Sequence, residues 1–197
     1  MRVILASKSP RRREILAMLG VQFEIISADA DESSTEADPA LLVTELSLRK
    51  GRAVRELLAK NGEWNSDTLI IAADTVVAVD GKILGKPKDD ADAAAMLRLL
   101  SGSTHGVLSG VALLCGEREL AAAEQTGVVF DEMSDADIAW YVKSGEPCDK
   151  AGAYAVQGLA SLFIKGLDGD YFNVVGLPVH RLNQLVKELL GRTLTEL

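Results

Sequence analysis

Near the start of the chain, Ser7-Lys8-Ser9-Pro10-Arg11-Arg12-Arg13 places two hydroxyls, a lysine and three guanidinium groups on a turn that enters a helix. A helix start exposes unpaired backbone N–H groups, and together with the helix dipole these favour an anion. Guanidinium groups add paired donors that match phosphate oxygens. The dipole itself disfavours cations at that end, so three arginines there need a reason, and a bound polyphosphate supplies one. A solvated, charged first turn is the plainer account. The string GxxxxGK[ST] is missing, so the turn is not a P-loop.

Three further stretches carry chemistry. In Ala72-Ala73-Asp74-Thr75-Val76-Val77 a carboxylate interrupts an apolar strand. An ionised carboxylate in such a place is costly unless paired, hydrogen-bonded or bound to metal. Asp74 therefore reads as a magnesium ligand or a base that orients water, or else as a bulge or a strand end that reaches solvent. Thr75 points to the opposite side in a regular strand. Lys86, in Gly85-Lys86-Pro87, follows a hairpin and lies near Asp74 if the two strands pair; by itself it reads equally as a surface lysine. Lys50, inside Leu48-Arg49-Lys50-Gly51, is ambiguous in the same way. In Asp149-Lys150-Ala151-Gly152-Ala153-Tyr154-Ala155-Val156-Gln157-Gly158 the small residues permit close approach of a ligand or of another segment. The Gln157 amide both donates and accepts, which suits a nucleobase edge; a cross-strand amide in a Gly-rich strand is the alternative.

The elements that position these residues follow from pattern. Residues 2–6 read as a buried strand. Pro10 suits the first helical turn with Ser9 as N-cap, and Gly20 ends that helix. A strand is expected over 22–27, then a polar loop at 29–35. Pro39 opens a helix to about Lys60 with Leu42, Leu46 and Ala53 inward. TLIIAADTVVAV, residues 68–79, is the strongest strand signal, and Asp80-Gly81 turns it back to Lys82-Ile83-Leu84. A helix over 90–100, strands over 104–115 and 119–131, and a helix from Ser134 to about Lys143 come next. Gly-rich strands are expected over 152–175 with a turn at Asp168-Gly169, then a helix from Pro178 to Leu190. Alternation broken by hairpins predicts an α/β fold with a mixed sheet.

The 197 residues suffice for one substantial domain, or one domain with two lobes, and 48% hydrophobic with 25% charged residues is an ordinary globular profile. A formal net charge of -8 argues against nucleic acid or an anionic membrane as partner, though not against a small anion in a local basic pocket. No apolar stretch reaches the ~18–20 residues of a membrane helix, and no signal peptide is evident, which favours the cytoplasm. Two cysteines without CxxC spacing read as reduced and structural, and two histidines without zinc spacing argue against a structural zinc site.

In order, LASKSPRR, AADTVV, GKP, DKAGAYAVQG and VVGLP span essentially the whole chain. This set resembles the Maf family of nucleoside triphosphate pyrophosphatases, and within it the branch that acts on dTTP and UTP. A branch acting on 7-methylguanosine triphosphate is expected to differ at positions 75 and 157. The resemblance implies a mixed central sheet flanked by helices, two lobes around a deep cleft similar to the inosine triphosphate pyrophosphatases, and a homodimer. It implies hydrolysis of a nucleoside triphosphate to monophosphate and pyrophosphate with Mg2+ or Mn2+, in the upkeep of the nucleotide pool. Asp74 matches the catalytic carboxylate, and Arg11, Lys50 and Lys86 match cationic substrate contacts, with Ser7 in the same phosphate loop. Arg12, Thr75 and Gln157 match positions that tune base choice. Arg12 can only donate, which favours the O4 acceptor of uracil or thymine over the amino group of cytosine. Glu32 matches a carboxylate that joins Asp74 at the metal. One departure is Gly51 after Lys50, where alanine is expected; glycine loosens that helix slightly. Two other readings stand beside the dTTP/UTP one. The first is a pyrophosphatase mainly for modified pyrimidine nucleotides. The second is a nucleotide-binding regulator of cell division without turnover, which would keep the Arg11 and Gln157 contacts and dispense with Asp74, so that Asp74 with Lys86 favours an enzyme.

Overall fold

Strand β1 (Arg2–Leu5) starts the sheet because Val3, Ile4 and Leu5 are apolar on both faces, as a strand covered on both sides requires. The computed structural model describes every residue from Met1 to Leu197. β1 pairs in parallel with β2 (Glu24–Ile25) and with β3 (Thr68–Val79), the latter in the register Arg2↔Thr68 to Leu5↔Ile71. The full strand order is β2-β1-β3-β5-β6-β7, with β4 (Lys82–Leu84) on β3, β5 at Thr104–Cys115, β6 at Arg118–Phe130 and β7 at Ile164–Asp168. Parallel pairing in β2-β1-β3 and antiparallel pairing of β3 with β4 and of β6 with β7 make the sheet mixed.

The chain forms two compact units. The first comprises residues 1–74, 109–124 and 176–197. Its long helix α2 (Pro39–Lys60) is set at the start by Asp38, whose carboxylate accepts from Ala40 N and Leu41 N, and by Pro39 in the first turn. The inner face of α2 is Val43, Leu46, Val54 and Leu58, not the expected Leu42 and Ala53, which stay half-buried. The stripe is rotated by how closely the helix meets the sheet. At Gly110 of β5 a Cβ would overlap the Val43 carbonyl, and at Gly51 one would overlap the Leu114 side chain. Gly51 is therefore a close-packing position as well as a weak point in helix propensity. The same unit holds α1 (Pro10–Met18), which buries Ile15 and Leu16, and the last helix of the chain (Val179–Leu190), which buries Leu182, Leu185, Val186 and Leu189. Ser9 occupies the cap position of α1 without a side-chain bond to the helix; instead its own N–H donates to Ser7 Oγ at 3.2 Å. The expected strand over 22–27 shrinks to Glu24–Ile25, with Ile26 N bonding Leu5 O at 3.3 Å just beyond it.

The second unit comprises residues 75–108 and 125–175. Asp80 and Gly81, both with positive φ, turn β3 into β4, with Val77↔Leu84 as the last pair. Helix α3 (Asp90–Leu100) is capped by Asp89, and α4 (Asp135–Lys143) by a reciprocal Ser134–Asp137 box. Val77, Leu97, Leu100, Phe130, Tyr141 and Tyr154 belong to its core. The expected Gly-rich strands over 152–175 reduce to β7 alone. Gly152 and Ala153 at φ 68° and 63° break the extended run into 3₁₀ turns at Ala151–Ala153 and Leu159–Phe163. After β7, Asp170 Oδ1 accepts from Phe172 N at 2.8 Å and starts the short helix α5 (Tyr171–Val175); the helix over Val179–Leu190 is accordingly α6.

Candidate active site

Asp74 sits on β3 with 9% of its surface exposed, following five residues, Leu69 to Ala73, that are wholly buried. A charge there needs a partner, and α2 supplies it. Lys50 lies one helical turn from both Leu46 and Val54, so the inner face of α2 aims it at the sheet. Its Nζ lies 2.5 Å from Asp74 Oδ1 and 3.2 Å from Glu32 Oε1. Glu32 comes from the polar loop before α2 and is largely exposed. The close seat of α2 on Gly110 helps to bring Lys50 within reach.

The first turn of α1 also holds Asp74's strand, through Arg12. Arg12 Nε donates to Gly176 O at 2.8 Å, and Nη1 donates to Ala73 O at 2.8 Å and to Ser7 Oγ at 3.2 Å. Three of the five guanidinium donors thus secure backbone and loop around the residue that precedes Asp74. Burial lowers the Arg12 pKa, the negative charge of Asp74 opposes that shift, Arg11 reinforces it, and Glu32 opposes it. An arginine stays charged through such a shift. Arg11, Arg12, Glu32 and Asp74 therefore share one electrostatic neighbourhood. Ser7 is buried at 9% exposure and its Oγ ties the loop to both Ser9 and Arg12.

The second unit carries the rest of the expected set. Thr75 follows Asp74 on β3 and is half-buried, its side chain on the alternate face. Lys86 is exposed at a bend beyond β4, and the preceding Gly85 carbonyl accepts from Gly152 N at 3.0 Å. That bond joins the Gly85-Lys86-Pro87 segment to the Gly152 turn. Gln157 is exposed at the corner of a turn closed by Gly158 N on Ala155 O at 3.1 Å. The structure thus gathers Ser7, Arg11, Arg12, Glu32, Lys50 and Asp74 in one unit, and Thr75, Lys86 and Gln157 in the other. Sequence reasoning missed the Ala73 and Gly176 carbonyls as the anchors of Arg12. A backbone acceptor has no residue-type signature, although Gly176 lies in the VVGLP stretch and adopts φ 118°.

The pattern of the Maf-like protein family matches residues 2–189. This chain belongs to the Maf family. Among its Maf relatives, a dTTP/UTP pyrophosphatase of Symbiobacterium thermophilum is 49% identical over 187 residues, covering 94% of this chain and 93% of the relative. A dTTP/UTP pyrophosphatase of Bacillus cereus strain AH820 is 44% identical over 188 residues, covering 95% of each. Among solved structures, the Staphylococcus aureus Ham1 protein aligns over 66% of this chain and 72% of its own with a TM-score of 0.47 and 13% identity.

In this Maf chain the site combines a carboxylate fixed on a strand with a lysine that has a second carboxylate partner. Such a set can exchange its internal ion pairs for contacts to a polyanion and its counter-cation. No helix of the chain is long and apolar enough to cross a membrane.

Proposed function

We propose that the chain hydrolyses dTTP and UTP to the nucleoside monophosphate and pyrophosphate, the activity borne by its relatives' names. The observation that carries the reading is the Lys50–Asp74 pair at 2.5 Å beside a guanidinium-bearing helix start. A triphosphate tail presents several negative charges, and cations must offset them before a carboxylate can act beside it. Arg11, Lys50 and Lys86 are the candidates, with the Ser7 loop forming the wall. Asp74 orients a water and takes its proton while the water oxygen bonds to the α-phosphorus. The bond from that phosphorus to the bridging oxygen breaks, and its electron pair leaves with pyrophosphate. Thr75 and Gln157 are assigned to base choice by the family resemblance, and the Gln157 amide can donate to a uracil or thymine carbonyl and accept from ring N3–H.

A divalent cation fits the donor set. Asp74 and Glu32 converge on one point, the Lys50 ammonium, at 2.5 and 3.2 Å. Mg2+ is commonly held by one or two carboxylates, with substrate phosphates and water completing its shell. Asp74 and Glu32 would hold Mg2+ or Mn2+, which when bound offsets charge on the phosphate tail.

The test is a panel of nucleoside triphosphates with magnesium, followed for pyrophosphate and orthophosphate. Pyrophosphate released from dTTP and UTP ahead of CTP supports the reading. Orthophosphate release, or CTP cleaved as fast as UTP, defeats it.

A further inference from the structure

The turn that carries Gln157 is fastened from outside itself. Ala155 N–H, before the corner, donates to Tyr141 Oη at 3.2 Å. Leu159 N–H, after the corner, donates to Glu146 Oε2 at 3.0 Å. The two acceptors are joined, because Tyr141 O–H donates to Glu146 Oε1 at 2.7 Å. A single phenol–carboxylate unit therefore grips the chain on both sides of Gln157.

Each part of the unit is held in turn. Tyr141 is fully buried on α4, and burial first, then the bond to Glu146, raises its pKa, so the phenol stays a neutral donor. Glu146 follows α4 by three residues; its N–H donates to Ser144 Oγ at 3.2 Å and its carbonyl accepts from Lys150 Nζ at 2.7 Å. The Glu146 carboxylate lies against the Gly158 backbone, where a Cβ would overlap both carboxylate oxygens. Glycine at 158 is thus what lets the carboxylate reach Leu159. A half-exposed turn has water for its N–H groups and needs no carboxylate. Committing a carboxylate and a buried phenol to these two N–H groups fixes the turn's direction.

We propose that Tyr141 and Glu146 are positioning residues for base recognition, setting the turn that presents Gln157. This rests on the reading of Gln157 as a base contact.

The experiment is steady-state hydrolysis of UTP with magnesium by the wild type, Tyr141→Phe, Gly158→Ala, Gln157→Ala and the double variants that combine each of the first two with Gln157→Ala. Tyr141→Phe removes the bridging hydroxyl. Gly158→Ala displaces the Glu146 carboxylate and leaves both positioning side chains in the chain. Each single variant is expected to raise KM roughly 5- to 10-fold, the worth of one ordered contact, with kcat within about twofold. If the positioning residues act through Gln157, each double variant has the KM of Gln157→Ala alone. Multiplying KM effects, or a loss of kcat at unchanged KM, overturns the proposal while the reading of Gln157 stands. An unchanged KM in Gln157→Ala removes the reading and the proposal with it. Should Tyr141→Phe fail to fold, the Gly158→Ala cycle decides by the same criteria.

Discussion

Lys50 Nζ lies 2.5 Å from Asp74 Oδ1, and the two side chains are 19% and 12% exposed. The pair joins the inner face of α2 to the innermost part of the sheet, and neither charge is comfortable there alone. Removing one partner of such a pair is costly because the other is left desolvated. We expect Lys50→Met to destabilise the protein by about 2 kcal/mol, discounted for partial exposure from the ~3–5 kcal/mol of fully buried pairs. Adding Asp74→Asn to Lys50→Met should restore most of that stability and none of the activity. Denaturant titration alongside turnover checks both; a double variant less stable than Lys50→Met rejects the account.

Asp74→Asn by itself keeps the shape and removes the negative charge. Turnover of dTTP and UTP is expected to fall by roughly 100-fold or more, within the 10²–10⁴ range of general-base contributions. Glu32 shares Lys50 at 3.2 Å but is mostly exposed, so Glu32→Gln should raise the metal concentration needed for half-maximal rate more than it lowers the maximal rate. Metal titrations of the two variants separate these roles. Near-normal turnover in Asp74→Asn removes Asp74 from the chemistry.

Arg12 spans Ser7, Ala73 and Gly176 through Nε and Nη1. Lysine has no planar fork and cannot make the same three bonds in one geometry. We expect Arg12→Lys to lower stability by about 1–3 kcal/mol, the range for charged hydrogen bonds and the acceptors they leave unpaired. Turnover should fall for every nucleotide, because Ala73 carries Asp74. A change in base preference at unchanged stability would mean that Arg12 acts at the base and not on the strand.

Much of this arrangement is legible in the sequence, for reasons that differ by residue. Pro39 at the start and Asn61-Gly62 at the end bound α2, and the unbroken apolar run with the Asp80-Gly81 turn bounds β3. Both elements obey local rules, so Asp74 stands out as a carboxylate in an apolar strand, whereas Lys50 reads equally as a surface lysine and is singled out only by the family resemblance. Their meeting is not legible, because it depends on Gly110 letting the helix down onto the sheet. The stretch over 152–163 misreads as strand because its shape is imposed from afar. Positive φ at Ala153, and the Tyr141 and Glu146 acceptors, belong to tertiary structure and leave no periodicity. Arg12 was readable as a cation but not as a clamp on two carbonyls.

The two glycines beneath α2 should respond differently to alanine. At Gly110 a Cβ meets the Val43 backbone carbonyl, which cannot step aside without moving the helix. At Gly51 it meets the end of the Leu114 side chain, which can rotate, and alanine also gains about 1 kcal/mol of helix propensity. We expect Gly110→Ala to cost about 3 kcal/mol or more and to weaken turnover by shifting Lys50. Gly51→Ala should lie within about 1 kcal/mol of the wild type. Equal losses in the two variants, measured by chemical denaturation, would contradict the packing described for α2.

Acid should find a weak point in the core of the second unit. His105 is 3% exposed, its Nε2 lies 2.8 Å from Tyr154 Oη, and its Nδ1 is buried without a partner. The Phe130 and Tyr154 rings contact it edge-on. Burial lowers its pKa from 6.5 to about 4. Between those values the unfolded chain takes up a proton that the folded chain refuses, so stability present above about pH 6.5 drains away as pH falls towards 4. The full span amounts to about 3 kcal/mol at roughly 1.4 kcal/mol per pH unit. His105→Gln keeps a hydrogen-bonding group for Tyr154 but does not titrate. Its unfolding free energy should be nearly flat from pH 6.5 to 5, where the wild type already declines and most carboxylates are still ionised. A wild-type profile as flat as the variant's over that interval would show that His105 is not held neutral.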